Sequence, residues 1–201
     1  LIFFKNGDPA YITKRFDVKE DGTKWAQEDF ASLAGRTPQT HGTHYKYLGN
    51  YSELFDLMKQ YLPLYKLEAP RLLKILIFNY LFLNGDAHYK NFSIIETPMG
   101  DYRLSPAYDL LNSRIHINDK EFALDDGLMP KNHVQGKVRS QFTKLAELAG
   151  IKEKVFQDIM SLMVSRSHLV EIMIFNSYLN DATKRNYLQA YQGRLKQLVK
   201  R

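Results

Sequence analysis

The spacing of apolar and polar positions divides the chain into a short β entry and a long helical body. "LIFF" is a brief apolar run, "KNGD" carries an Asn-Gly turn signal, and "AYITKRFD" resumes with β-formers, so residues 1–17 read as a hairpin. "WAQEDFASLAG" has helical spacing and ends at Gly35, a candidate C-cap. "SELFDLMKQYL" is an amphipathic helix with Ser52 as candidate N-cap and Pro63 as its stop. "EAPRLLKILIFNYLFLN" is the most apolar helix, with Pro70 expected in its first turn, where a missing N–H costs nothing. A helix apolar on most faces is expected to be a buried spine.

Beyond that spine, "NFSIIE", the turn "TPMGD" and "YRLSPAYDLL" read as a second hairpin, and "SRIHINDKEFAL" as a further strand pair. From Lys137 onward the pattern is helical. Gly150 closes the first helix, "KEKVFQDIMSLMVSRSHLVEIMIFNSYL" reads as one long helix, and Asp181 is the expected cap of the last. The fold class expected is α+β, mostly α-helical, as one domain. Its parts are a hairpin at 1–17, helices over 27–84, polar loops over 85–126 and a helical tail over 137–201.

Composition narrows the class. Hydrophobic residues make up 44% and charged residues 25% of 201, enough for a core without staples. Cysteine is absent, which excludes disulfides and thiolate metal sites and fits a reducing, cytoplasmic setting. No apolar run reaches the ~20 residues of a membrane span, and no signal peptide is visible. A first residue of Leu rather than Met suggests a fragment or a processed product. The net charge of +6 favours acidic partners, although outside "GRLKQLVKR" the basic residues are scattered and read as solvated surface.

The chemistry concentrates in "LFLNGDAHYKNFSII", where Asp86, His88, Lys90 and Asn91 stand between two apolar runs. Phosphoryl transfer needs a carboxylate to accept the nucleophile's proton and oxygen ligands for magnesium. The protein-kinase catalytic loop uses this Asp-to-Asn spacing, and a second carboxylate should return on the next hairpin. Asp109, in "LSPAYDLL", stands 18 positions after Asn91, beyond one turn and one strand. Asp86, Asn91 and Asp109 are therefore expected to converge, with Lys90 near the transferred group. His88 reads as an anchor bonded to backbone or carboxylate. Asn-Gly-Asp is also ordinary turn chemistry, so the combination carries the reading. A zinc or iron site from Asp86, His88 and Asp109 is disfavoured, since the loop holds one histidine and His44 and His116 are distant in sequence.

At these residues the chain resembles a known family. "NGDAHYKNFSI" followed by "YRLSPAYDLL", with "AYITKRFD", "QEDFASLAG" and "HYKY" upstream in order, is similar to the kinase core of HipA-type toxins, serine/threonine kinases of bacterial toxin–antitoxin modules. The resemblance implies a protein-kinase-like C-terminal lobe with small β-hairpins at the catalytic cleft. It implies Asp86 as catalytic base with Lys90 beside it, and Asn91 and Asp109 as magnesium ligands. His88, Lys90, Asn91, Tyr108 and Asp109 would line the nucleotide. Lys14, Arg15 and Phe16 would form the hinge that meets adenine, and Gln27, Glu28 and Asp29 would belong to a helix beneath the site. ATP and Mg2+ are the implied cofactors. The implied partners are a protein substrate, with aminoacyl-tRNA synthetases the known target class, and a DNA-binding antitoxin.

The chain departs from that family in having no glycine-rich phosphate loop and no phosphate-pairing lysine upstream of the hinge. It therefore reads as the C-terminal lobe alone, with the nucleotide-covering lobe to be supplied in cis or in trans, and feeble as an isolated catalyst. Two other readings stay open. Aminoglycoside- or choline-type small-molecule kinases share a similar "G-D-x-H-x-x-N" loop, and a non-catalytic module docking an antitoxin would also suit the charge.

Overall fold

The computed structural model describes residues 2–118, 120–134 and 136–200. The Asn-Gly signal produces an antiparallel hairpin, β1 (Ile2–Phe3) with β2 (Pro9–Ala10), in the register Ile2–Ala10 and Phe3–Pro9. Gly7 takes the positive φ of 89° that the turn demands. The hairpin is shorter than the expected 1–17. With no third strand beside it among the described residues, two residues per strand is all it holds, and Lys14–Phe16 lie beyond it in irregular backbone.

A second sheet lies at the heart of the molecule. β3 (Gln27–Asp29), β4 (Ser93–Glu96) and β5 (Tyr102–Leu104) run antiparallel in that order, with Asp29 opposite Ser93 and Ile94 opposite Leu104. Gln27, Glu28 and Asp29 therefore do not belong to a helix, as their spacing and the family resemblance had suggested. The reason is hydrogen-bond accounting: β4 is largely buried, and its open edge needs backbone partners that water cannot reach to supply. The helix shrinks to α1 (Phe30–Leu33), started by Asp29, whose Oδ1 accepts from Ser32 N at 3.0 Å. Gly35 follows its end with φ 66°.

A short helix α2 (Pro38–His41) and a 3-10 turn at Tyr45–Tyr47 lead to α3 (Ser52–Tyr61). Ser52 is the first residue of α3 rather than its cap, and Asn50 Oδ1 accepts from Ser52 N at 3.1 Å. The apolar spine is α4 (Tyr65–Leu81), which packs on α3, on β5 and on two helices of the tail. It begins five residues before Pro70, so this proline sits inside the helix and not in its first turn. Leu72, Leu73 and Ile77 are fully buried along it.

The tail is α5 (Val138–Leu148), α6 (Glu153–Ser165), α7 (Ser167–Phe175) and α8 (Asp181–Val199). The expected single long helix breaks at Arg166, which lets α7 fold back against both α6 and α8. Asn180, not Asp181, caps α8, accepting from Thr183 N at 2.8 Å. The strand pair expected in "SRIHINDKEFAL" is absent among the described residues, of which residue 119 is not one. A 3-10 turn at Ser113–Ile115 stands there. Farther on, Asp125 N and Asp126 N donate instead to Tyr47 O at 2.9 Å and Gly49 O at 3.0 Å.

The result is the α+β, mostly helical lobe that the pattern implied. Its core joins Phe30 of α1, Leu54 and Phe55 of α3, the inner face of α4, and Phe142, Phe156 and Tyr191 of the tail. No helix among the described residues is long and apolar enough to cross a membrane. Because α4 is enclosed on several sides, truncating it should leave a cavity that its neighbours cannot close. Leu73→Ala is expected to lower the unfolding free energy by about 2–5 kcal/mol, measured by urea denaturation.

Candidate active site

The polar loop hangs from the C-terminal end of α4. Leu83 takes a left-handed backbone, φ 58°, just past the helix, and Asn84 N reaches back to Asn79 O at 2.9 Å. That reversal throws residues 84–91 across the end of the spine. Ser113 then fastens the loop from the far side: its Oγ accepts from Gly85 N at 2.9 Å and donates to Leu83 O at 3.2 Å.

Within the loop Asn84, Asp86 and Asn91 have defined side-chain partners. Asp86 Oδ1 accepts from the Tyr47 hydroxyl at 2.8 Å, and Asp86 N donates to Asn84 Oδ1 at 3.3 Å. Asn91 Oδ1 accepts from His88 N at 3.0 Å, while its amide nitrogen donates to Asp109 Oδ2. The β4–β5 hairpin thus carries the chain away and returns Asp109 to within bonding contact of Asn91. Asp109 holds a left-handed backbone, φ 54°, a region that Asp enters more readily than most residues. Asn84 steadies it by donating from its amide to Asp109 O at 3.1 Å. Asn84 is therefore the hub between Asp86 and Asp109. Sequence reasoning read it only as half of a turn dipeptide, and the side-chain capacity of Asn in that turn was the available signal.

Lys90 faces away from the two carboxylates. Its ammonium pairs with Asp29 Oδ2 at 2.8 Å, and this hydrogen bond raises its pKa further, so Lys90 stays charged. Such a half-exposed pair stabilises by about 1 kcal/mol or less, and its effect is positional: it ties the loop to the end of β3. Tyr108 closes the same corner, donating to Lys90 O at 2.7 Å with Ser93 Oγ also on its hydroxyl, and burial pushes its phenol up to about 12.

His88 departs from the anchoring role expected of it. It is buried, and its Nδ1 has no hydrogen-bond partner among the described residues. Its ring meets Tyr47 edge-on at 5.2 Å. Loss of solvent lowers its pKa below 6.5, helped by the charge of Lys46, against the opposing pull of Asp86 and Asp109. It is neutral at pH 7.

Beneath the loop lies a second set of residues that the sequence did not single out. Tyr89, fully buried, donates to Glu53 Oε2 at 2.8 Å, and Arg36 pairs with the same carboxylate and stacks over the Tyr89 ring at 4.4 Å. Tyr51 donates to Ala87 O at 2.7 Å. These bonds hold the loop's backbone from α3.

Lys14, Arg15 and Phe16, expected to form a hinge, meet Asp109 at a cleft. Lys14, Arg15, Phe16, Gln27, Tyr108 and Asp109 line an open cleft of about 550 Å³. Phe16 and Tyr108 pack ring against ring at 5.9 Å, and exposed Arg15 is paired with half-buried Asp17. Asp86, His88, Lys90 and Asn91 do not line this cleft; they join it through the contact of Asn91 with Asp109. Among the described residues no group of three or more His, Cys, Asp or Glu gathers as a metal cluster. Two carboxylates and an amide oxygen suit magnesium, a hard cation that takes few protein ligands and keeps waters and phosphate oxygens.

The fold is that of a protein-kinase-like lobe, with the returning Asp109 joining the polar loop to the open cleft. The chain belongs to the HipA-like C-terminal domain family, whose model matches residues 1–170. Two curated relatives come from Sinorhizobium fredii and carry the names of candidate kinases. Y4mE is 32% identical over 116 residues, 54% of this chain and 26% of its own length. Y4dM is 30% identical over 162 residues, 80% of this chain and 37% of its own. The chain thus spans about a quarter to a third of the relatives it matches. HipA of Shewanella oneidensis, solved with HipB and operator DNA, superposes with a TM-score of 0.67 at 18% identity, covering 91% of this chain and 47% of that one. The kinase CtkA of Helicobacter pylori gives 0.56 at 12% identity, covering 89% and 70%. At these identities the likeness is one of fold.

The buried His88 has a pH signature. Its folded pKa lies below 6.5, so the unfolded chain binds the proton more readily and stability falls as pH drops through and below about 6.5. Urea melts at pH 7.5 and 5.5 should show this loss, and His88→Gln should reduce the difference between the two.

Proposed function

We propose that this chain is the C-terminal lobe of an ATP- and Mg2+-dependent serine/threonine protein kinase of the HipA type. The observation that carries the reading is the direct contact between Asn91 and Asp109, with Asp86 linked to the same aspartate through Asn84. Eighteen residues and a hairpin separate the first pair, and no local turn chemistry requires them to meet.

In this reading Asp86 orients the acceptor hydroxyl and takes its proton, while Asn91 and Asp109 hold magnesium. Bound magnesium would neutralise charge between the phosphates. Asn91 has the capacity for this because its amide oxygen retains a second lone pair beyond the bond from His88 N. Lys14, Arg15 and Phe16 offer backbone at the mouth of the cleft to the adenine, and Tyr108 packs on Phe16 beside it. His88, buried and with its charged form disfavoured, would line the nucleotide as the resemblance implies. Lys90 acts through Asp29, holding loop and sheet together.

The chain carries no glycine-rich phosphate loop, so the phosphate-covering contacts are assigned to a further lobe, in the same polypeptide or another. That the chain matches only 47% of HipA of Shewanella oneidensis is in keeping with this division. That protein was solved with HipB and DNA, which supports a DNA-binding antitoxin as a partner here. The acceptor is a serine or threonine of a cytoplasmic protein, with an aminoacyl-tRNA synthetase the class that the family resemblance implies.

The test is phosphate transfer from labelled ATP by the full-length protein, with protein extract and small alcohols offered side by side. Asp86→Asn and Asp109→Asn should each lower transfer to protein by about 100-fold or more without loss of the fold. Activity unchanged in both variants would overturn the assignment, and labelling of small alcohols alone would move the enzyme to the small-molecule class.

A further inference from the structure

One side chain aimed at the catalytic loop belongs to none of the roles above. Tyr47 closes the 3-10 turn Tyr45–Tyr47, 39 residues before Asp86, and its hydroxyl donates to Asp86 Oδ1 at 2.8 Å. Asp86 Oδ2 has no hydrogen bond to protein among the described residues. The backbone of Asp86 is fixed separately, through Asn84 Oδ1 on its N–H and His88 N on its carbonyl at 2.8 Å. What remains free is rotation of the carboxylate, and Tyr47 is the group that limits it.

Tyr47 is itself held from several directions. Asp125 N donates to its carbonyl at 2.9 Å, and its own N–H reaches His44 O at 3.0 Å. Its ring is stacked on His44 at 4.9 Å and meets His88 edge-on at 5.2 Å. His44 in turn is bonded through Nε2 to Asp125 Oδ2 at 3.1 Å. The phenol is therefore carried on the turn Tyr45–Tyr47, which the backbone of Asp125 braces, and reaches the carboxylate at position 86.

We infer that Tyr47 is a positioning residue of this active site: it holds Asp86 Oδ1 so that Oδ2 alone is presented to the acceptor hydroxyl. This rests on the role of Asp86 proposed above. The acceptor oxygen bonds to the transferred phosphorus, the bond from that phosphorus to the leaving nucleoside diphosphate breaks, and the hydroxyl proton passes to Oδ2. A hydrogen bond on Oδ1 fixes the direction of the lone pair that receives this proton, and small errors of orientation in such steps are costly. The tyrosine does not contact the reacting atoms. Its contribution should appear in turnover and not in substrate binding.

The experiment is steady-state kinetics on the full-length protein with Tyr47→Phe, which keeps the ring and its packing. The expected result is a fall in kcat of about 10- to 100-fold, with KM for ATP and thermal unfolding unchanged. Placed on Asp86→Asn, the same substitution should have no further effect, because the group it orients is gone. A kcat equal to that of the unsubstituted protein, or a loss confined to KM, would overturn the inference. An inactive Asp86→Asn beside a fully active Tyr47→Phe would do so while leaving the proposed function standing. A fully active Asp86→Asn would instead remove the reading beneath it. Should Tyr47→Phe unfold, His44→Ala supplies the second measurement. By freeing one face of the tyrosine ring it should lower kcat several-fold with KM for ATP unchanged, and an unaltered kcat would again count against the inference.

Discussion

The contact of the Asn91 amide with the Asp109 carboxylate is the constraint around which the rest of the lobe is arranged. Two polar side chains this far apart in sequence meet only if everything between them is fixed. The β4–β5 hairpin supplies a rigid out-and-back path, and β3 on its other edge prevents that path from slipping. At the far end Asp109 accepts an uncommon backbone conformation to turn inward, which the bond from Asn84 helps to hold. The site's geometry is thus secured mainly by backbone pairing, with side-chain bonds completing it.

The loop that carries Asp86 depends on a different kind of support. It leaves α4 through a left-handed residue and so carries local strain, which persists only because the surroundings over-determine it. Ser113 fastens its start, Tyr51 its middle, and buried Tyr89 with half-buried Glu53 and Arg36 its end. Burying Tyr89 with its hydroxyl satisfied gives the loop a hydrophobic anchor without an orphaned polar atom. His88 is the exception, with a ring nitrogen lacking a partner among the described residues, and its neutrality follows from that burial. A neutral ring beside two carboxylates leaves their negative charge available to a cation.

Much of this was legible in the amino-acid order. The buried α4, the polar loop at its end, the hairpin after it and the helical tail all follow from periodicity and turn residues, because those signals act over a few positions. The two errors of strand assignment share one cause. Gln27–Asp29 has helical spacing and is drawn into a sheet by the unpaired edge of β4, some 65 residues away. The segment around Asp125 has strand-like residues yet pairs with the backbone near Tyr47. Capping was misplaced by one or two residues at Ser52 and Asp181 for a smaller reason: neighbouring polar residues compete for the same open N–H groups.

The order of residues by itself marked out Asp86, Asn91 and Asp109 as the polar side chains to gather at the end of the buried helix, since their spacing around one hairpin is visible along the chain. Tertiary structure alone decided how they are aimed. It gave Lys90 to Asp29, left His88 Nδ1 without a partner, and brought the phenol of Tyr47 to Asp86. Each of these contacts joins segments whose sequence separation carries no periodic signal. Their geometry is set by packing of the whole core, where a shift of one element moves every neighbour.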